Sequence, residues 1–304
     1  MQNEFVPPQR IGFVGLGNMG APMARHLAAA GYQLVVADAN TAALERFRTA
    51  VKCETAASLT ELGRACSLVI TMLPDGAAVR QVLTGTQAVV AGLARGSVVL
   101  DMSSAEPVGT RTLGAQLAES GISLVDAPVS GGVKRAVEGT LAIMVGGDPQ
   151  SIARCGPVLA RLGKVFRVGA SGSGHAVKAL NNYLSAIALV ATAEAMLAGE
   201  KFGIEPAVML EILNHSTGRN TATDQKYPAF VLPRTFNSGF ALGLMAKDLR
   251  IALGLSEAVG APATLLGMCS EIYDCAQRRL GFGADNTEIV KYLEAHGARP
   301  GEND

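Results

Sequence analysis

The rhythm of apolar and polar positions changes near residue 172. Before it, short apolar runs recur between helical patterns: Arg10–Val14, Gln33–Ala37, Leu68–Leu73, Ser97–Met102, Ile122–Pro128, Leu141–Val145 and Val165–Val168. A helical pattern follows the first run through Met23, Leu27 and Ala30, closing at Gly31. Strands that alternate with helices predict an α/β unit with a doubly wound, Rossmann-type sheet. From Gly172 onward the pattern is helical with no convincing strand. A long apolar helix runs to about Gly203, and others are predicted at 205–213, 244–259, 262–280 and 286–295. Residues 214–237 read mostly as loop, and the tail Arg299–Asp304 as disordered. The expected organisation is an α/β dinucleotide-binding domain over 1–170 and an all-helical domain over 171–304, joined by the long helix.

That helix carries one conspicuous polar group. No charged residue falls between Ala179 and Ala193, so burial on most of its circumference is expected. Lys178 is the exception at its start, and such a lysine either snorkels to water or is held for a purpose. Asn181, Asn182 and Ser185 follow at three, four and seven residues, so they share its face.

The chemistry of the first half begins at Gly15-Leu16-Gly17-Asn18-Met19-Gly20, between the first strand and its helix. The first glycine permits a tight turn, the second lets backbone approach a pyrophosphate, and the third allows close helix–strand packing. Asp38 ends the second strand eighteen residues after Gly20, where a carboxylate can accept from both ribose hydroxyls. An ordinary cap on the helix near Thr41 is its alternative reading. Ligands of doubly wound sheets lie outside the carboxyl ends of the strands, so Leu73, Pro74 and Ser104 are expected to face the cofactor. A plain turn role suits each of them equally. Ser130-Gly131-Gly132 exposes backbone N–H groups fit for a carboxylate, or forms only a mobile turn.

Composition narrows the partners. The 304 residues are 49% hydrophobic, and 26 basic side chains balance 26 acidic ones, so no net field gathers nucleic acid or an anionic membrane. Residues 183–199 approach the length of a membrane span but contain Glu194, and a buried helix is the reading preferred. Five cysteines without C-x-x-C spacing indicate neither a disulfide framework nor zinc, which fits a cytoplasmic protein. His26, His175, His215 and His296 suit no metal spacing and read as structural or solvated. Arg219 reads as a surface arginine, with contact to an anionic group as the alternative.

Four motifs in order, Gly15–Ala24, Asp126–Gly132, Gly172–Gly174 with Lys178 and Asn182, and Lys247-Asp248-Leu249, give the chain its resemblance to the β-hydroxyacid dehydrogenases. That group contains 3-hydroxyisobutyrate dehydrogenase and tartronate semialdehyde reductase. The resemblance implies that Lys178 is the catalytic lysine and that Asn182 orients the substrate. It implies that Ser130, Gly131 and Gly132 receive the substrate carboxylate, that Lys247 reaches the cofactor region, and that the protein is a homodimer or homotetramer. Two departures stand out. Lys134 and Arg135 occupy positions where many members carry small residues, and Ser104 stands where threonine is common.

The expected activity is reversible hydride transfer between NAD and the hydroxyl carbon of a small 3-hydroxy acid, with NADP as the alternative cofactor. Reduction of a short semialdehyde uses the same groups. A non-catalytic dinucleotide sensor and an imine reductase are the rivals. Lys178 counts against the first, and the second calls for a different proton donor at that position. Oxidation of an alcohol needs a base near the forming carbonyl, and burial at a helix start disfavours the ammonium of Lys178, which suits it to that task. Asp38 with Ala39 and Asn40 predicts NAD over NADP, because nothing there receives a 2′-phosphate. Lys134 and Arg135 raise the weaker expectation of a second anionic group on the substrate.

Overall fold

The computed structural model describes residues 3–296, so the Arg299–Asp304 tail lies outside the described residues. The chain forms two compact units, Met1–Lys178 and Ala179–Asp304. The first is built on strands β1 (Arg10–Val14), β2 (Gln33–Ala37), β3 (Glu54–Thr55), β4 (Leu68–Thr71), β5 (Val98–Asp101), β6 (Ser123–Asp126), β7 (Val129–Ser130), β8 (Leu141–Gly146) and β9 (Gly163–Gly169). Its helices are α1 (Gly20–Ala29), α2 (Thr41–Ala50), α3 (Leu59–Ala65), α4 (Gly76–Thr84), α5 (Pro107–Glu119), α6 (Gly132–Glu138) and α7 (Pro149–Leu159).

The sheet runs β3-β2-β1-β4-β5-β6-β8-β7, with β9 also paired to β8. From β3 to β6 every pairing is parallel, and β8 then runs antiparallel to β6. β4 and β5 are buried at every position, as expected of strands covered on both faces. Alternate side chains feed separate clusters: Phe13, Ile70 and Leu100 join one, and Val14, Val69 and Val99 the other. The strand order reverses at β1, flanked by β2 and β4, and the crevice at their carboxyl ends is where such sheets bind ligands.

Helix α8 (Ser173–Phe202) begins within the first unit and continues through the second. It is followed by α9 (Pro206–Asn214), α10 (Leu242–Ala258), α11 (Thr264–Leu280) and α12 (Ile289–His296). Among the described residues this second unit holds no strand, only the isolated bridge Ala241–Asp285. By length and composition α8 is apolar enough to cross a membrane. Its Ala186, Leu189, Val190, Ala193 and Met196 pack into the core of the second unit, with Leu249, Ala252 and Tyr273.

Two expectations require correction. α8 is not buried on most of its circumference, because Val177, Leu180 and Leu184 form an exposed row, the last 64% exposed. These positions recur at helical spacing, so the helix packs on one side and leaves an apolar stripe on the other. Residues 214–237 are not mostly loop either, since a π-helix spans Ala222–Val231. Asn220 starts it by accepting from the Ala222 and Thr223 amides, and the Leu232 amide closes it on the Tyr227 carbonyl five residues back.

Candidate active site

The glycine turn after β1 divides its glycines into two kinds. Gly15 has φ +100°, and a Cβ there would lie 2.2 Å from the Met72 carbonyl oxygen. A Cβ on Gly20 would lie 1.9 Å from the Gly15 oxygen, so neither position admits a side chain. Gly17 has no such neighbour within 4 Å, which leaves the middle of the turn open to a ligand. Helix α1 starts at this turn without a side-chain cap, so its first amides remain available to phosphate oxygens.

Asp38 is fixed beside this turn. One carboxylate oxygen accepts from the Leu16 amide at 2.5 Å and the other from the Asn40 amide at 2.6 Å. The cap of α2 is Asn40, which accepts from the Ala43 amide, so the alternative reading of Asp38 as that cap does not hold. The half-buried Asp38 carboxylate keeps further lone pairs for ribose hydroxyls. An open Gly17, an uncapped α1 and an oriented Asp38 together fit a dinucleotide. At the ends of β4 and β5, Leu73 and Ser104 are half-buried and Pro74 exposed. The Leu73 amide donates to the Ser103 hydroxyl at 2.9 Å, which ties these two strand ends together.

The start of α8 is held by a buried network that the sequence did not announce. Asp126, fully buried at the end of β6, accepts from the amides of Gly172 at 2.7 Å and His175 at 3.1 Å. A carboxylate at a helix N-terminus also complements the dipole. Both glycines of Gly172-Ser173-Gly174 are required by this geometry. Gly172 has φ +82°, and a Cβ on Gly174 would stand 2.3 Å from the Met144 carbonyl oxygen. The His175 ring, 1% exposed, has Nδ1 2.8 Å from the Thr110 hydroxyl and Nε2 3.1 Å from the Ser103 carbonyl oxygen. A carbonyl only accepts, so Nε2 carries the proton and donates there.

Lys178 follows one turn into α8 and is 9% exposed. Asn182, 6% exposed and one further turn along, donates to the Asp248 carboxylate at 2.5 Å. Asp248 also pairs with Lys247 at 3.0 Å, and its bond with Asn182 is the one that joins the third and fourth sequence motifs within the second unit. Asn181 does not join this buried face; it is exposed and donates to the Asn182 side-chain oxygen at 3.1 Å.

The turn after β7 is looser. Ser130 is half-buried, while Gly131 (φ +127°) and Gly132 (φ +66°) are exposed. The nearest atoms to a Cβ on Gly131 would be those of the Arg135 stem, from 2.4 Å, and a Cβ on Gly132 would meet nothing within 4 Å. Lys134 and Arg135 are both exposed. Arg219 lies elsewhere, in an exposed pair with Asp224 at 3.2 Å.

Sequence reasoning missed the holding contacts of Asp126, Thr110 and Asp248, whereas His175, read as structural or solvated, is a buried structural group. Asp126 and Asp248 stood inside recognised motifs, but their partners lie 46 and 66 residues away. Cysteine chemistry has no foothold among the three buried thiols. Burial pushes Cys66 up to about 11 and Cys155 and Cys269 up to about 12, which keeps them protonated.

Residues 10–190 match the family described as the NAD binding domain of 6-phosphogluconate dehydrogenase. Residues 172–293 match the family described as NAD-binding of NADP-dependent 3-hydroxyisobutyrate dehydrogenase. The chain is 37% identical to 2-(hydroxymethyl)glutarate dehydrogenase of Eubacterium barkeri, over 94% of this chain and 95% of that one. It is 36% identical to 2-hydroxy-3-oxopropionate reductase of Escherichia coli, over 94% and 97% of the two chains. The structure of Mycobacterium tuberculosis 3-hydroxyisobutyrate dehydrogenase with L-serine superposes with a TM-score of 0.87 at 33% identity, covering 94% of this chain and 99% of that one.

Proposed function

Because the chain belongs to the β-hydroxyacid dehydrogenase family, we propose that it is an NAD-preferring dehydrogenase of a small 3-hydroxy acid, with Lys178 as its acid–base group. The coarser activity is plain: it is an NAD(P)-dependent oxidoreductase acting on the CH–OH group of small hydroxy acids or on the matching semialdehydes. The compounds that name two of its relatives, 2-(hydroxymethyl)glutarate and 3-hydroxyisobutyrate, carry a hydroxyl on the carbon β to a carboxylate, which supports the finer reading. A relative named as a reductase runs the other way, and microscopic reversibility assigns the same groups to both directions.

One observation carries the reading: the amine of Lys178, nearly buried, stands just past a helix start pinned by Asp126. Bound nicotinamide supplies the hydride acceptor or donor. In oxidation Lys178 takes the proton of the substrate hydroxyl as the carbonyl forms, and in reduction it returns that proton to the oxygen. Asn182, held by Asp248, keeps the reacting oxygen in line with the amine. The amides of Ser130, Gly131 and Gly132 receive the substrate carboxylate, and Asp38 receives the ribose hydroxyls. Gly15, Leu16, Gly17, Asn18 and Met19 line the phosphate turn, with Leu73, Pro74, Ser104 and Lys247 assigned to the cofactor.

The test is Lys178→Ala. Positioned acid–base groups contribute roughly 100- to 10,000-fold, so kcat should fall by at least the lower figure while NAD affinity and melting temperature stay close to wild type. Retention of more than a tenth of the wild-type rate on the best substrate would place the chemistry elsewhere. The five free cysteines support a reducing, cytoplasmic setting, and the exposed apolar row of α8 supports a homodimer or homotetramer, which sedimentation of the purified chain reads directly.

A further inference from the structure

Asp126 fixes the backbone at the start of α8, through the Gly172 and His175 amides. The side chain of His175 reaches a different part of the sheet. Its Nε2 donates to the Ser103 carbonyl at 3.1 Å, and its Nδ1 lies 2.8 Å from the hydroxyl of Thr110 on α5. The second Asp101 carboxylate oxygen stands 3.7 Å from Nε2, too far for a hydrogen bond, so the Ser103 carbonyl is the acceptor this N–H uses.

Ser103 follows β5, is fully buried, and is itself held twice. Its amide donates to the first Asp101 oxygen at 3.1 Å, which also accepts from the Thr71 hydroxyl at the end of β4 at 2.8 Å. Its hydroxyl accepts from the Leu73 amide just past β4 at 2.9 Å. A chain of hydrogen bonds therefore runs from the ends of β4 and β5 to the first turn of α8, wholly within the first unit.

This chain joins two parts of the proposed reaction. The ends of β4 and β5 carry Leu73, Pro74 and Ser104, proposed above for the cofactor. His175 stands three residues before Lys178 on the same helix, on the neighbouring turn. Hydride moves at the nicotinamide while the proton moves at the lysine, so the two must be kept at one separation. Asp126 belongs to β6 and holds only the helix backbone, whereas the imidazole ties that helix directly to the strand end beside the cofactor.

We propose that His175 is a positioning residue, which sets the place of the Lys178 amine relative to the ends of β4 and β5 by binding the Ser103 carbonyl. This rests on the reading of Lys178 as the acid–base group.

The test compares two amides that each keep half of the imidazole, on the full chain with NAD. A glutamine amide reaches as far as Nε2 and an asparagine amide only as far as Nδ1, so His175→Gln can keep the bond to Ser103 and His175→Asn cannot. A misplacement of an ångström costs up to about 100-fold, so His175→Asn should lower kcat by about 10- to 100-fold and His175→Gln by less than about threefold. NAD affinity by calorimetry and KM for the acid should stay within about twofold in both variants, because neither side chain touches a ligand. In a Lys178→Ala background, His175→Asn should cost less than about twofold, since it acts through that lysine. Ser103→Ala frees the strand end from Leu73 without touching the helix, and it should lower kcat in the same Lys178-dependent way; it carries the test if His175→Asn does not fold. Equal losses of rate in the two amide variants, or losses that simply follow their melting temperatures, would make His175 a packing group and overturn the proposal. So would an undiminished loss in the Lys178→Ala background, whereas a Lys178→Ala enzyme that keeps its rate overturns the underlying reading instead.

Discussion

Two glycine-bearing segments of the first unit, Gly172–Lys178 and Ser130–Gly132, are built to opposite specifications. In the first, both glycines are jammed against backbone or fixed polar groups, and a buried carboxylate, a buried imidazole and a threonine hydroxyl hold the chain. In the second, the glycines are exposed: the stem of Arg135 stands nearest to Gly131, and nothing stands within 4 Å of a Cβ on Gly132. The proposed proton-transfer group is carried by the first segment, and the proposed acid-binding amides by the second. Proton transfer demands hydrogen-bond distances, whereas a carboxylate on backbone amides tolerates adjustment of the loop. Rigidity is placed where an error of an ångström costs rate, and latitude where substrates differ.

The contrast breaks hardest at Asp126. Asp126→Ala strands two buried amides, each worth about 1–3 kcal/mol when left unsatisfied. Melting temperature should therefore fall clearly, and kcat with it, while NAD affinity measured below the transition stays within a fewfold of wild type. Asp126→Asn, which keeps an acceptor, should recover part of both losses. If Asp126→Ala keeps full kcat, the network does not position Lys178.

A smaller effect is expected at Asp38, which is pinned like Asp126 but is half-buried and is proposed to meet the ribose. Its carboxylate repels a 2′-phosphate, and a tenfold or larger preference for NAD in kcat/KM corresponds to about 1.4 kcal/mol. Steady-state rates with both cofactors decide the point, and preference for NADP would refute it.

The smallest effect belongs to the loose segment. Gly131→Val forces a β-branched residue to φ +127° at an exposed turn, with its Cβ 2.4, 2.8 and 3.0 Å from Cδ, Cβ and Cγ of Arg135. Strain of this kind costs about 1–3 kcal/mol, and it should appear as a raised KM for the acid with NAD affinity nearly intact. Collapse of NAD affinity would assign the loop to the cofactor or to the sheet.

How far the sequence carried depended on the range of each interaction. Strands such as Gln33–Ala37 and the glycine turn at 15–20 were legible because period, turn chemistry and the next element follow one another along the chain. Helix α8 was legible in extent but not in its exposed stripe, because Leu184 on a surface reads like Leu189 in a core. The π-helix escaped notice because its wider turn leaves no familiar hydrophobic period, and Pro228 lies inside it. The couplings of His175 to Thr110, Asn182 to Asp248 and Lys226 to Ser185 span 65, 66 and 41 residues, and only folding brings them together.

The pinning of α8 by Asp126 bears on where the chain can be divided. A fragment ending at residue 170 would contain every strand of the sheet, yet it would lack the Gly172 and His175 amides. The Asp126 carboxylate, fully buried in the intact chain, would then lose both amide donors and have to draw in water. The dinucleotide half is therefore not a detachable module at the point where its last strand stops. Its structural end lies inside the helix that carries the lysine, and any chimera exchanging the helical half must carry residues 171–178 with the sheet.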